Sequence, residues 1–362
     1  MNKFVKRIFK EVGSKLASLF KPGKTSKYKN HKSKLAKTLI KTAVANETIE
    51  ERASKQNKPS ADTMLRQLHC NEKYLDIIDS ENVRIINSLK RKKLLPNIPK
   101  IAIDFTDSAY YGRSNSFEII GSNQVDGTNS VIRKAVLSLA ERGKSFILAC
   151  KRVFQTERKT DILNYLIAKA NKFFKNLGLI LVDRGFFAIE VIKWFIAKDL
   201  RFLMLAIRNK RVSKLIKQFD EGKIPQIIDY SMGDVALKMF FVKKVIDGEQ
   251  RILAFVTNLD NFVPELLASE YPNRWLIETA HREVEKFMIR TTSNDMALRH
   301  FFHLLACLIY NLWIYCRLTV QDQYGIKLRS YTFKLLVIDI LFEDFWRTTI
   351  FLLTSSFKSI ER

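Results

Sequence analysis

Two short apolar runs, IAID ending at Asp104 and LILVD ending at Asp183, limit the folds open to this chain more than any other feature. Such runs, bounded by turn residues, read as strands buried on both faces, the kind found where helices cover a sheet from both sides. Acids are depleted in strands, and a carboxylate buried without a partner is costly, so an aspartate in each run needs an account. For Asp183 the simple account is a cap on the turn that Arg184-Gly185 begins. That account fits Asp104, set in the middle of its strand, less well.

Around these runs the texture alternates. Residues 131–140 (VIRKAVLSLA) and 144–154 (KSFILACKRVF) read as strands separated by Glu141-Arg142-Gly143, after a turn near Tyr110–Gly112. Helical periodicity over 161–177 ends at Gly178, a natural position beyond a helix C-terminus. LILVD follows, then a helical run to Asp199 and the apolar strand RFLMLAI at 201–207. Strands first, then alternating helix and strand, indicate an α/β domain with a mixed sheet. Residues 208–260 break the alternation, because VALKMFFVKKVI and RILAFVTNL flank Asp247-Gly248, a hairpin turn signal. From Pro264 onward the chain reads helical, including an apolar helix after Arg299 and another through 336–353.

The charge is lopsided: 62 Lys+Arg against 37 Asp+Glu give +25. Such an excess repels itself in the folded state, and polyanions are its natural counterpart, since basic side chains displace the counterions condensed on phosphates. Residues 1–60 alone hold 16 Lys+Arg and 4 Asp+Glu. Phe4, Ile8, Val12 and Leu16, then Leu35, Leu39 and Ala43, fall at helical spacing there, around a basic break at 21–34 that contains Pro22-Gly23. Pro59 and Ser60 lead into a further helix, with Ser60 or Asp62 as its cap. A small DNA-contacting helical region ending near Leu95 and a solvated basic tail are both consistent with this pattern.

The four cysteines show no paired spacing, which argues against structural zinc and a disulfide framework and suits a reducing cytoplasm. Charges interrupt every apolar run of the N-terminus, unlike a secretory signal. The stretch 301–318 (FFHLLACLIYNLWIYCRL) raises a membrane question, but His303, Asn311 and Arg317 favour a helix buried in protein, and no membrane partner is expected. The five histidines form no catalytic constellation, with His281, His300 and His303 expected to pack.

A third candidate acid lies in 271–287 (YPNRWLIETAHREVEKF). If this segment is helical, Tyr271, Arg274, Glu278, Arg282 and Glu285 share one face, with Pro272 harmless in the first turn. Charge pattern alone reads that face as a solvated one, with Glu278–Arg282 an ordinary i,i+4 pair.

The three acid-bearing stretches nevertheless resemble one family in common. IDFTDSAYYG around Asp104, LVDRGF around Asp183, and the Tyr-two-Arg-three-Glu spacing of Tyr271, Arg274 and Glu278 look like the three motifs of the DDE transposases of insertion sequences. The likeness is to the group with the YREK signature and to its archaeal-type branch, which RTTSND and YNLW downstream also resemble; it covers roughly residues 60–350. The signature lysine falls where Glu285 stands, with Lys286 one place later, so Lys286 and Arg282 are the candidates for its role.

The resemblance implies an RNase H-like fold with a β-rich insertion, flanked by an N-terminal helical domain and C-terminal helices. The organisation expected is a basic helical DNA-binding region at 1–95, the first part of the catalytic domain at 96–207, the insertion at 208–262, a catalytic helix segment at 263–300 and a C-terminal helical region at 301–362. It further implies that Asp104, Asp183 and Glu278 are catalytic and hold two Mg²⁺ (or Mn²⁺) ions. Tyr271 and Arg274 would hold DNA phosphates, with Arg184, Arg282 and Lys286 as further DNA-binding candidates. Asp107 is read as solvated rather than as a support for the metal site. Double-stranded DNA, both element ends and target, is the expected partner of a homodimer on paired ends, in a cytoplasmic, nucleoid-associated location. Two alternatives stay open: a metal-dependent nuclease of the same fold, and an inactive relic that only binds DNA.

Overall fold

The computed structural model describes residues 2–20, 31–55, 60–68, 73–112 and 116–341, and the chain divides into two compact units. One comprises residues 1–85 and 282–362, the other residues 86–281. The basic break around Pro22-Gly23, Pro59, and the continuation of the last helix beyond residue 341 lie outside the described residues.

The second unit is built on a nine-stranded mixed sheet. Its strands are β1 (Ile101–Ala109), β2 (Ile119–Val125), β3 (Thr128–Leu139), β4 (Ile147–Arg152), β5 (Ile180–Val182), β6 (Phe202–Leu205), β7 (Ile227–Met232), β8 (Val235–Ile246) and β9 (Glu249–Thr257). The order across the sheet is β2-β3-β1-β5-β6-β9-β8-β7, with β4 also paired to β3. β1, β5 and β6 run parallel, and β3 and β4 join β1 through antiparallel ladders. This is the RNase H-like mixed sheet expected from the sequence. β7, β8 and β9 extend it beyond β6, and the β8–β9 hairpin turns at Asp247 and Gly248, both with positive φ (52° and 79°).

The parallel strands are apolar because they are covered on both faces. Ile101, Ala102, Ile103, Ile180, Leu181, Val182, Phe202, Leu203 and Met204 are all fully buried. Each of these side chains larger than alanine contributes about 1.5–3 kcal/mol. Helix α6 (Lys159–Asn171) packs on β3 and β4, α7 (Ile189–Ala197) on α6 and β8, α8 (Lys210–Asp220) on β9, and α9 (Pro264–Glu270) on β8.

Here the helix expected over 161–177 needs correcting. α6 ends at Asn171, with Lys172 as its cap, and Gly178 plays no part in it. Gly178 instead donates its N–H to the Pro99 carbonyl at 2.9 Å, and a Cβ there would stand 3.0 Å from that oxygen. Close backbone approach, not helix termination, requires the glycine.

The other unit is helical. α1 (Asn2–Ala17) packs on α2 (His31–Ala45), followed by α3 (Ile49–Ser54) and α4 (Ala61–Gln67). Ser60 caps α4 by accepting from the N–H of Thr63, and Thr48 forms a capping box with Glu51 at α3. α5 (Lys73–Arg91) and α10 (Leu276–Glu285) each begin in one unit and end in the other. α11 (Met296–Tyr324) starts at an Asp295 cap and stops at Gly325 in the left-handed region. It is the one described helix long and apolar enough to cross a membrane, and 89% of its most apolar window is buried in protein. Two of its buried polar side chains are met within the protein: Asn311 donates to Asn82 at 2.9 Å and the Trp313 indole to the Leu328 carbonyl at 3.1 Å.

Candidate active site

Sheet register places the two aspartates. Ile103 of β1 is opposite Val182 of β5 in the parallel ladder, and the N–H of Asp183 donates to the Ile103 carbonyl at 3.1 Å. The next residues, Asp104 within β1 and Asp183 just past the end of β5, therefore stand side by side. Asp104 is 7% exposed, and its Oδ1 accepts from the N–H of Phe105 at 2.8 Å. Asp183 caps the short 3-10 turn Arg184–Phe186, its Oδ2 accepting from the N–H of Gly185 at 2.9 Å. The capping role read from its sequence is thus real, and it engages only one carboxylate oxygen.

The third element differs from the single helix expected over 271–287. Tyr271–Trp275 is a 3-10 turn, and α10 begins only at Leu276. Pro272 sits in the first turn, where its missing N–H leaves no ladder bond broken. The turn packs on β1 and β5 and carries Arg274 into the sheet's acidic corner. Arg274 is 8% exposed, and one nitrogen, Nη1, is hydrogen-bonded to Asp104 Oδ2 and stands 3.6 Å from Asp183 Oδ1. The other, Nη2, donates to Glu278 Oε1 at 3.2 Å. Glu278 therefore pairs one turn back with Arg274, and its side chain remains 57% exposed.

All three candidate acids thus meet on one guanidinium. Burial, opposed by Arg274 and reinforced by the Asp183 charge, pushes the Asp104 carboxyl up to about 7. Tyr271 lies beneath: its hydroxyl donates to the Val182 carbonyl at 3.3 Å, and the Arg274 guanidinium lies 5.8 Å from its ring centre. Burial pushes this phenol up to about 12.

The other expected residues are distributed as follows. Arg184 is exposed and lines a cavity of about 550 Å³ together with Asp183, Arg208 and Arg251. Arg282 and Lys286 fall past the division at His281/Arg282, in the helical unit, where Lys286 pairs with Glu283 at 2.5 Å. Asp107, expected to be solvated, is instead gripped across the sheet by Arg133 through two bonds of 2.8 and 2.7 Å. His281 is buried, and burial next to the Lys134 charge pushes its imidazole down to about 4, so it is neutral at physiological pH.

One residue escaped the sequence reading. Lys134 is 5% exposed on β3 and donates to Ser108 of β1 at 3.0 Å. Cross-strand pairs Asp104–Val136 and Thr106–Lys134 set it on the same face of the sheet as Asp104. A lysine inside the apolar run VIRKAVLSL was the available signal.

The donor set suits hard divalent cations, since three carboxylates already converge on one positive charge. Arg274 supplies that charge. No group of three or more His, Cys, Asp or Glu among the described residues is arranged to hold a metal ion. By donor chemistry alone, Asp104, Asp183 and Glu278 suit such an ion.

No curated protein matches this sequence. Among solved structures the chain resembles the cryo-EM structure of a piggyBac transposase synaptic complex with hairpin DNA. That likeness has a TM-score of 0.61 at 13% identity and covers 96% of this chain and 81% of the other, which is a likeness of fold. Residues 136–312, a segment that includes Asp183, Tyr271, Arg274 and Glu278 but begins after Asp104, match the family model described as Transposase DDE domain.

Proposed function

We propose that this protein is a DNA transposase, which cuts the ends of an element and joins the freed 3′-hydroxyls to target DNA. The observation that carries this reading is the meeting of Asp104, Asp183 and Glu278, from two adjacent strands and a helix, on a single cationic group. The segment matching the Transposase DDE domain, and a fold like that of a transposase solved with DNA, support it.

Asp104, Asp183 and Glu278 would hold two Mg²⁺ or Mn²⁺ ions. Such ions lower the pKa of an attacking hydroxyl and stabilise the leaving oxygen of an in-line displacement. The protein's own part is to hold the two aspartates at fixed strand positions, each with one oxygen tethered to its own backbone. Arg274 offers a planar fork suited to a phosphate, and Tyr271 braces the turn that carries it. Arg184 on the neighbouring cavity, with Arg208 and Arg251, offers further phosphate contacts. Within the sheet-bearing unit, exposed basic residues recur on α8 (Lys210, Arg211, Lys214, Lys217), and within the helical unit on α1 (Lys3, Lys6, Arg7, Lys10), each a basic face suited to phosphates. A homodimer on paired ends and a nucleoid-associated cytoplasmic location belong to this reading, as do Arg282 and Lys286 as DNA contacts.

The test is strand cleavage and joining on labelled duplexes carrying the DNA that flanks the gene, with Mg²⁺ or Mn²⁺, comparing the parent with Glu278→Gln. The expected result is cutting and joining by the parent, and binding alone by the variant. Cutting without joining would replace the reading with a nuclease. Binding without cutting by either protein would leave a DNA-binding relic.

A further inference from the structure

Arg274 is oddly placed for a residue whose task is to hold a DNA phosphate. Both of its terminal nitrogens are engaged by protein carboxylates: Nη1 by Asp104, with Asp183 3.6 Å away, and Nη2 by Glu278 at 3.2 Å. The group is almost wholly buried, yet its Nε has no hydrogen-bond partner. The pose satisfies the acids and leaves the guanidinium itself incompletely satisfied. A guanidinium is also wide and flat, so it spreads its acids further apart than an ion held at about 2.1 Å would allow.

We propose that Arg274 is the resident cation of the free protein, and that it and the divalent ions occupy the Asp104–Asp183–Glu278 cluster in mutually exclusive fashion. The inference rests on the metal-dependent reading above. A guanidinium and a dication together among these acids would be like charges a few ångströms apart in a poorly screened setting, which disfavours joint occupancy. Metal entry therefore turns Arg274 out. Its freed fork becomes available to a DNA phosphate, so one side chain neutralises the acids before loading and engages substrate after it.

The test is calorimetric titration of the full chain with Mn²⁺ alone, without DNA. It compares the parent, Arg274→Gln, Arg274→Lys and the double variant Arg274→Gln/Glu278→Gln, each checked for folding by circular dichroism. Arg274→Gln is expected to bind Mn²⁺ about tenfold more tightly than the parent. Arg274→Lys, whose single ammonium cannot bridge all three acids, should fall between them, and it carries the comparison if the Gln variant does not fold. The double variant should lose the gain. Equal or weaker Mn²⁺ binding by folded single variants overturns the proposal, as does a gain that survives in the double variant. If no variant gains affinity while the parent still joins DNA with Mn²⁺, the competition is refuted and the transposase reading stands. If the parent neither binds Mn²⁺ nor joins DNA, both fall.

Discussion

The hydroxyl of Tyr271 donates to the carbonyl of Val182, the last residue of β5, and so ties the turn bearing Arg274 to the strand that delivers Asp183. Because burial pushes this phenol up to about 12, it remains a donor throughout the neutral range. Tyr271→Phe removes the donor and keeps the ring that packs against Phe255 at 5.3 Å. A stability loss of about 1 kcal/mol is expected. Strand joining should fall roughly tenfold through misplacement of the turn. Thermal melts and the joining assay, run on the same preparations, check this; unchanged joining would show that the tie does not position the site.

Removing the cation itself should be more damaging. Arg274→Met leaves Asp104 buried beside two other acids, and stability should drop by about 3 kcal/mol in urea titration near pH 8, the scale on which breaking a buried ion pair acts. Asp104→Asn added to that background should restore much of the loss, since the buried carboxyl that has lost its partner is gone. A double-mutant cycle with no coupling would mean that the pair contributes nothing to the fold.

His281 gives a pH dependence of definite sign. Its imidazole sits near 4 in the folded chain, below its ordinary 6.5, so the unfolded state binds more protons between those values. The stability contributed by keeping His281 neutral is therefore complete above about pH 6.5 and is lost as pH falls through 4. The stability gap between the parent and His281→Gln should shift in the parent's favour by up to roughly 3 kcal/mol from pH 4 to pH 7. Chemical denaturation at half-unit pH intervals reads it, and a flat difference would mean that the histidine is hydrated rather than buried.

Gly178→Ala tests the close approach at Pro99. A Cβ 3.0 Å from a backbone carbonyl cannot be relieved by a rotamer change, so about 1–3 kcal/mol should be lost. Ordinary helix-end behaviour would make the same substitution nearly neutral, and equilibrium unfolding separates the two.

Much of the sheet was legible because its central strands are uniformly apolar and punctuated by turns. IAI and LILV needed no partner information, and Asp247-Gly248 announced its hairpin. β2 was not legible: IIGSNQV lacks both an apolar run and a clean alternation, and its exposed positions reflect an edge strand. The Asp126-Gly127 pair beside it carries the same turn signal as Asp247-Gly248, with φ of 48° and 85°. For the candidate site, spacing gave the residues but not their pairing. Helical periodicity assigned Glu278 to Arg282, whereas the 3-10 turn before α10 brings Arg274 into contact with it. Contacts that depend on sheet register, such as Asp107 with Arg133 and Lys134 with Ser108, have no local signature at all.

The tethering of one oxygen on each aspartate divides the labour within the cluster. Asp104 and Asp183 are anchored by the N–H groups of Phe105 and Gly185, while Glu278, on a more open helix turn, accepts from Arg274. The cluster is thus a socket with two fixed walls and one hinged wall. The backbone sets where the aspartates stand, and in the exchange proposed above the change of occupant would fall to the reach of a single glutamate.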